Sequence, residues 1–365
     1  MTTGNPAMNA ALARILSRRL VICLGPGGVG KTTVSAALGV AAARNGRAVD
    51  VMTIDPAPRL LDALGLDANR ADPQDVQIAG APRGARLRAL RLDPKHTFDR
   101  LVERHAPNAA TRDSILNNRI YRNLSTALAG IADYMAIERL LELYDDASND
   151  LVVLDTPPAS EAIDFLDAPT RLLDLLNSRA LNLLGPSGGF LSMADAATRA
   201  ILAAFDRITG LRILGDLRGL LVSFESMYQG FAERAGRARS LMQAETTHAV
   251  VITTAEPERI LQIEPFIASL AASGIAVGAV VVNRVGFDLP DRSALTNGIA
   301  SAIRRKLARN LRDFRALQRR EDAALLELRK VVGPGTAIIA APDLGAEPRS
   351  LKDLSEFAAR LTERE

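Results

Sequence analysis

One short stretch constrains the fold of this chain more than any other. An apolar run, Leu20–Leu24, precedes a glycine-rich turn and then a segment that suits a helix. Gly25, Gly30, Lys31 and Thr32 match the pattern G-x-x-x-x-G-K-[ST], which is specific when a strand comes before the glycines and a helix after them. The stretch therefore predicts a strand, a phosphate-binding loop and a helix, and it places the chain among α/β folds.

The residue types of this loop suit a nucleotide bound with Mg²⁺. Glycines let successive backbone N–H groups turn toward phosphate oxygens, and a helix N-terminus adds a partial positive charge. Lys31 would pair with the β- and γ-phosphates, and the Thr32 hydroxyl would complete a Mg²⁺ shell. We expect the whole loop to contact the nucleotide through Gly25, Gly27, Gly28, Val29, Gly30, Lys31, Thr32 and Thr33.

Strand-like apolar runs alternate with helix-like segments along the rest of the chain. The runs cover residues 48–54, 87–92, 151–154, 249–253, 277–282 and 336–340. This alternation predicts a mostly parallel sheet with helices on both faces and with ligands at the carboxyl ends of the strands. Polar residues stand at four of those ends, and we expect them to gather there: Asp55, Asp93, Asp155 and Asn283.

Two segments, 97–147 and 161–245, carry helical patterns without strand-like runs. We therefore predict a single domain over residues 1–365 in which both segments are helical insertions beside the sheet. The second is interrupted at 185–189 by glycine, proline and serine, and it is rich in large apolar residues. These either pack as core or form a groove for an apolar helix. They are Leu175, Leu176, Leu183, Leu184, Phe190, Leu191, Met193, Phe205, Phe224, Met227, Tyr228 and Phe231.

Composition excludes several classes of protein. The single cysteine, Cys23, rules out an internal disulfide and a site built from several thiolates, and its apolar neighbours indicate a core residue.

Glycines interrupt the uncharged stretch 265–283, so we predict no integral membrane segment, and the first twenty residues lack the apolar core of a signal peptide. Arginines alternate with leucine and alanine without aromatic residues for base stacking, so no nucleic-acid partner is expected. We predict a cytoplasmic protein.

Four pieces of the sequence together resemble the ArsA-like ATPases, the family of arsenite-pump and tail-anchored-protein-targeting ATPases in the deviant Walker A group. The pieces occur in the same order, each at a predicted strand end. They are residues 27–33, Asp55-Pro56-Ala57, Asp155-Thr156-Pro157-Pro158 and Val282-Asn283-Arg284. The resemblance extends from Leu20 to about Leu351. It implies a P-loop ATPase that binds ATP and Mg²⁺ and hydrolyses ATP.

The resemblance also implies a role for each motif. Asp55 would orient the attacking water, Asp155 would hold Mg²⁺ together with Thr32, and Lys31 completes the catalytic set. Asn283 would read the adenine edge, and Pro342 would lie beside the adenine ring. Asp-Pro pairs also begin turns, and an asparagine at a strand end also suits a cap. The implied partners are a second copy in a homodimer and an apolar client helix or a membrane partner protein.

The sequence departs from the family pattern in two ways. Pro26 stands where these ATPases have a signature lysine, and proline has neither the charge nor an N–H. Cysteines that bind arsenic in the pump or zinc in the targeting dimer have no counterpart beyond Cys23. The leading hypothesis is an ArsA-like switch ATPase whose nucleotide state controls the binding of an apolar client. The alternatives are the ATPase subunit of an anion (arsenite-type) transporter and a positioning ATPase like ParA or MinD.

Overall fold

The computed structural model describes residues 10–119, 121–122, 129–177, 227–286, 301–333 and 335–364. Its strands are β1 (Leu20–Leu24), β2 (Ala48–Thr53), β3 (Gln74–Val76), β4 (Arg86–Arg91), β5 (Leu151–Asp155), β6 (Thr247–Thr254), β7 (Val277–Val285), β8 (Ala337–Pro342) and β9 (Thr362–Arg364). They form one sheet in the order β3-β4-β2-β5-β1-β6-β7-β8-β9. Only the edge strands β3 and β9 pair antiparallel. The predicted mostly parallel α/β sheet is confirmed.

Helices connect these strands. Among the described residues they are α1 (Ala10–Leu16), α2 (Lys31–Arg44), α3 (Arg59–Leu64), α4 (Pro94–His105), α5 (Ala109–Leu116), α6 (Ala129–Asp145), α7 (Ala159–Leu166), α8 (Ala168–Asn177), α9 (Tyr228–Met242), α10 (Pro257–Leu261), α11 (Ile263–Ala272), α12 (Ser301–Val332) and α13 (Leu351–Ala359). No helix in the described part of the chain is both long enough and apolar enough to cross a membrane.

Contacts within the chain define two compact units. The sheet unit comprises residues 1–91, 146–163 and 243–365 and contains all nine strands. The helical unit comprises residues 92–145 and 164–242, and its described elements are all helices. A single domain with helical insertions at 97–147 and 161–245 stays a prediction.

In the sheet unit, the central strands explain the position of the glycine-rich loop. Every residue of β1 and β5 is buried, as expected for parallel strands that helices cover on both faces. Cys23 of β1 and Thr53 of β2 both lie in register with Asp155 of β5. The carboxyl ends of these three strands are therefore level, and the loop that follows β1 begins beside Asp155.

The helical unit has an apolar core of its own. Phe98 and Leu101 of α4 pack there with Tyr134 of α6, and Met227 and Phe231 belong to the same buried cluster. Met227 and Phe231 are therefore core residues and do not line an open groove. The side chains of Leu175, Leu176 and Tyr228 are not described, and the other apolar residues proposed for a groove, with the interruption at 185–189, lie outside the described residues.

Asp93 does follow a strand, β4, and its side chain caps α4 by accepting a hydrogen bond from the backbone N–H of His96 at 2.9 Å. One sequence-based expectation needs correction. The strand expected to end at Val282 continues to Val285, so Asn283 lies within β7. The strand is longer because its pairing with β8 resumes at Val285 after an irregularity.

A buried ion pair joins β2 to β4. Asp50 is fully buried and accepts hydrogen bonds from Nε and Nη2 of Arg88, each 2.7 Å long. Nδ2 of Asn149 donates a third bond to the same carboxylate at 2.7 Å. The hydrogen bond to Asp50 raises the pKa of Arg88 above its usual value. The carboxylate is thus compensated for its burial by three donors.

We expect Asp50→Ala to lower the free energy of unfolding by about 3 kcal/mol, because it leaves a largely buried guanidinium without its main partner. The loss is near the lower end of the usual range since Arg88 keeps a contact with Asp146. Urea denaturation measures the change. Asp62→Ala is the matched control because Asp62 is exposed on α3, away from Arg88 in the sheet. Equal losses of unfolding free energy in the two variants would show that the ion pair between Asp50 and Arg88 does not stabilise the fold.

Candidate nucleotide-binding site

The loop between β1 and α2 requires glycine at two positions. A Cβ at Gly25 would stand 2.1 Å from the carbonyl oxygen of Ile252 in β6. Gly30 has a φ of +89°, and a Cβ there would stand 2.3 Å from Nδ2 of Asn283 in β7. Neither position has room for a side chain. The loop is therefore held closely against β6 and β7, the next two strands of the sheet on one side of β1.

The outer side of the same loop is open. A Cβ at Gly27 or Gly28 would meet no atom within 4 Å, and both residues are exposed. In the described chain, no side chain caps the N-terminus of α2. The first N–H groups of a helix have no acceptors within the helix itself. An exposed cradle beside an uncapped helix N-terminus fits the phosphates of a nucleotide.

Lys31 begins α2 and lies at the inner side of the cradle. Its Nζ donates a hydrogen bond to the carbonyl oxygen of Pro26 at 3.0 Å, so the side chain folds back along the loop. Burial lowers the pKa of Lys31, and the charges of Asp155 and Asp55 oppose that effect. The ammonium group is thus largely desolvated next to two carboxylates, where an additional anion would be stabilising.

Asp155 ends β5 and is almost completely buried. Its Oδ2 accepts hydrogen bonds from Oγ1 of Thr32 and from Oγ1 of Thr53, each 2.8 Å long, and Oγ of Ser35 lies 3.4 Å from Oδ1. Burial raises the pKa of Asp155 to about 6, although the two threonine hydroxyls favour the charged form. Burial disfavours the charged form of this carboxylate. A bound cation would therefore strongly stabilise the charged form.

These oxygen atoms fit a Mg²⁺ ion. The Thr32 hydroxyl and the Asp155 carboxylate are hard oxygen donors, and they are already in contact with each other. Among the described residues, no group of three or more His, Cys, Asp or Glu side chains could hold a metal ion. A pair of protein oxygens suits Mg²⁺, which usually keeps several waters and takes further ligands from substrate phosphates.

Asp55 lies two residues beyond the end of β2 and is half-buried. Its Oδ1 accepts a hydrogen bond from the backbone N–H of Ala57 at 2.9 Å, and its own N–H donates to Oγ1 of Thr53 at 3.2 Å. The turn expected of an Asp-Pro pair is therefore present. The Asp55 charge also acts on both Lys31 and Asp155. The structure thus brings Asp55 close to the other predicted catalytic residues.

Asn283 and Pro342 lie on the other side of the loop. Nδ2 of Asn283 donates a hydrogen bond to the carbonyl oxygen of Val29 at 2.8 Å, and its Oδ1 accepts one from the N–H of Arg284 at 2.9 Å. Pro342 ends β8 and pairs in register with Val285. Asn283 therefore supports the loop directly, and Pro342 stands at the end of the adjacent strand.

Two further residues belong to the site without being part of a predicted motif. Thr53 and Ser35 are both buried, and both hydroxyls approach Asp155. Oγ of Ser35 also donates to the carbonyl oxygen of Lys31 at 2.9 Å. Two signals could have identified them. Thr53 is the last residue of the strand that leads to Asp55, and Ser35 lies one helical turn after Lys31.

Pro26 contributes to an apolar cavity of about 240 Å³ at the rim of the loop. The cavity is also lined by Gly27, Pro158 and Phe266, among others. The resemblance to the ArsA-like ATPases implies a lysine at the position of Pro26. Here the side chain at this position is apolar, and its carbonyl oxygen is already bonded to Lys31.

Cys23 is fully buried in β1, as expected for a core residue. Burial raises the pKa of its thiol to about 12. The thiolate, which is the form that binds soft metals and metalloids, is therefore strongly disfavoured at this position.

The fold and the site define a P-loop protein of the α/β class. A family model described as "Anion-transporting ATPase" matches residues 18–297, and the chain belongs to this family, ArsA_ATPase. It is similar to a Malassezia globosa protein named ATPase GET3, with 25% identity over 86% of this chain and 88% of the relative. An Aspergillus terreus protein with the same name is 26% identical over 74% of each chain. An uncharacterized Streptomyces coelicolor protein, SCO2128, is 29% identical over 77% of this chain and 66% of its own length. The protein is therefore an ArsA-like ATPase that binds and hydrolyses a nucleotide.

Proposed function

We propose that ATP hydrolysis takes place at the site formed by Lys31, Thr32, Asp55 and Asp155, and that nucleotide state controls the binding of an apolar client. The observation that carries the first part is the contact between Thr32 and the buried Asp155 carboxylate at the mouth of the glycine cradle. Two oxygen donors that suit Mg²⁺ lie beside a helix N-terminus that suits phosphate, and this arrangement supports the proposal.

Each residue of this set then has a separate task. Thr32 and Asp155 would hold Mg²⁺, which would neutralise charge on the phosphates. Lys31 exchanges its bond to the Pro26 carbonyl for the phosphate oxygens. The amides of residues 27–33 supply further donors. The exchange is favourable for Lys31 because burial has already removed water from its ammonium group, so a charge-assisted hydrogen bond to phosphate is strong there.

Asp55 is the residue that we assign to the attacking water. The Ala57 amide holds Oδ1 in place, which fixes the direction of the carboxylate and leaves Oδ2 for the water. A positioned carboxylate can orient the nucleophile and accept its proton. The same Asp-Pro turn that could be structural alone therefore also serves to aim the side chain.

Asn283 and Pro342 are the residues that we assign to the adenine base. The amide nitrogen of asparagine carries two hydrogens, and one is used by the Val29 carbonyl. The second remains for an acceptor on the base. Pro342 offers the apolar face of its ring at the end of the neighbouring strand, where an aromatic base can pack.

The client part of the proposal rests on the resemblance to the targeting ATPases. In sequence, the chain leads from Asp155 within a few residues into α7 and so toward the segment rich in apolar residues. ATP can control client binding only if the ATP-bound and the ADP-bound protein bind the client with different affinities. A homodimer and a cytoplasmic location are further parts of the proposal.

We expect an apolar helical peptide to bind the protein with different affinity in the presence of a non-hydrolysable ATP analogue and of ADP. Fluorescence titration of a labelled peptide measures both affinities, and a scrambled peptide of equal charge is the control. A tenfold difference corresponds to about 1.4 kcal/mol of coupling. Equal affinities in both states would contradict the client proposal and leave the ATPase site untouched.

The family description favours transport of an anion as the second candidate. A metalloid carried by thiolates requires several accessible cysteines, whereas this chain has only the buried Cys23. An anion would therefore have to be bound by other groups. We expect arsenite to leave ATP hydrolysis unchanged. Stimulation by arsenite that persists in Cys23→Ser would favour this candidate over the client proposal.

A further inference from the structure

Helix α12 is amphipathic along its whole length, but its two halves differ in burial. Ala324, Leu328 and Val332 lie on one side of the C-terminal half and are buried. At about 100° per residue, this apolar side continues through Leu317, Phe314, Leu307 and Ile303. In that N-terminal half, Ile303, Phe314 and Leu317 are exposed by 56%, 56% and 53%. Leu311, at one edge of the stripe in the N-terminal half, is buried. The apolar stripe is therefore covered at the C-terminal end of the helix and largely exposed at the N-terminal end.

Helix α12 is anchored within the sheet unit. The helix contacts α10 and α11, and Oε2 of Glu321 accepts a hydrogen bond from the N–H of Gly286 at 2.9 Å. Gly286 directly follows β7, the strand that carries Asn283. The N-terminal half is thus a continuous extension of an anchored helix, and its exposed stripe is held by a packed element.

Charge separates the two halves as clearly as burial does. Residues 301–320, which we call the basic half, contain eight Lys or Arg residues and one acidic residue, Asp313. Residues 321–332 contain two basic and three acidic residues. In the basic half, Lys306 and Arg309 follow the apolar stripe along its edge, since they stand about 60° and 120° from Ile303 on the helix. Both are exposed.

We infer that the basic half of α12 binds the surface of an anionic lipid bilayer. A helix with exposed apolar residues on one side and lysine or arginine on the others lies in the membrane interface, with its apolar side among the acyl chains. Basic side chains beside the stripe reach the headgroups while their stems cover apolar surface. The positive charge complements phosphatidylglycerol or another acidic lipid.

Two other occupants fit less well. A second copy of this chain in a symmetric dimer would place the same cationic surface against itself, which is repulsive. Duplex nucleic acid would satisfy the positive charge through its phosphates, but it offers nothing to the exposed Ile303, Phe314 and Leu317. A lipid surface satisfies both the charge and the apolar stripe.

Sedimentation of the full-length protein with vesicles tests this inference. We expect it to bind vesicles of phosphatidylcholine and phosphatidylglycerol, to bind phosphatidylcholine alone much more weakly, and to lose affinity as salt rises. The double variant Phe314→Ser with Leu317→Ser should weaken binding by roughly tenfold or more. Lys306→Gln with Arg309→Gln should weaken it on the order of tenfold.

Matched controls exist on the same helix. Leu326 is exposed but stands on the side opposite Leu328, and Lys330 is exposed in the C-terminal half. Leu326→Ser and Lys330→Gln should leave vesicle binding within about twofold. Circular dichroism and melting midpoints of all variants distinguish loss of the surface from loss of folding.

Several outcomes would overturn the inference. The first is that the parent protein does not sediment with anionic vesicles, and the second is that the Phe314 and Leu317 variant binds them as the parent does. A third is that the parent binds duplex DNA and only the charge variant loses that binding. A dimer that becomes monomeric in the Phe314 and Leu317 variant would show that the stripe is a subunit interface instead.

Discussion

Lys31→Ala is expected to weaken ATP binding by roughly 100-fold or more, because it removes a desolvated ammonium group from the phosphates. Isothermal titration with a non-hydrolysable ATP analogue and Mg²⁺ measures the loss. The effect is large because the Lys31 side chain is buried at the inner side of the cradle, where water replaces it poorly.

The melting midpoint should change little in the same variant. Burial lowers the pKa of Lys31, so its charge costs stability in the nucleotide-free protein, and losing the bond to Pro26 offsets that gain. Lys352→Ala is the matched control, since Lys352 is exposed on α13. An unchanged affinity of Lys31→Ala for the ATP analogue would show that the phosphates do not bind at this loop. Loss of folding would instead show that Lys31 has a structural role.

Asp55→Asn is expected to retain ATP binding within about threefold and to lose turnover by roughly 100-fold or more, because an amide cannot accept a proton or orient water as a carboxylate does. The substitution keeps an oxygen that can accept the Ala57 N–H, so the turn after β2 should persist. Single-turnover release of phosphate, compared with the dissociation constant of the analogue, separates the two effects.

The control for this variant is Asp62→Asn, an exposed carboxylate on nearby α3. It removes the same charge without changing the turn after β2, and it should turn over like the parent. Parental turnover in Asp55→Asn would rule out the assigned role. A loss of ATP binding equal to the loss of turnover would instead show that Asp55 contributes to binding.

Residues of the site that are separated by fixed short distances in the sequence could be predicted. Lys31 and Thr32 follow from the strand, loop and helix pattern, and Asp155 follows from a fully apolar strand. The position of Thr53 at the end of the strand before Asp55 is visible in the sequence, but its hydrogen bond to Asp155 depends on the register between β2 and β5. The bond from Asn283 to Val29 depends in the same way on how β7 lies beside the loop.

The fold was predictable to a similar extent. The parallel strands at the centre of the sheet show clear apolar runs, and their existence follows from the sequence. The edge strands β3 and β9 have three residues each, which is too short for a periodic pattern to be recognised. The amphipathic pattern of α12 is visible in the sequence, but only packing reveals that its apolar stripe is buried in one half and exposed in the other.

The Mg²⁺ dependence of ATP hydrolysis, measured in the parent and in Asp155→Asn, tests the central claim most directly. The claim is that the buried carboxylate beside Thr32 holds the metal of an ATPase site. We predict Mg²⁺-dependent phosphate release by the parent, and a half-saturating Mg²⁺ concentration at least about tenfold higher in Asp155→Asn, since a carboxylate ligand is replaced by a neutral amide. Hydrolysis with the same Mg²⁺ dependence in both proteins would contradict the claim.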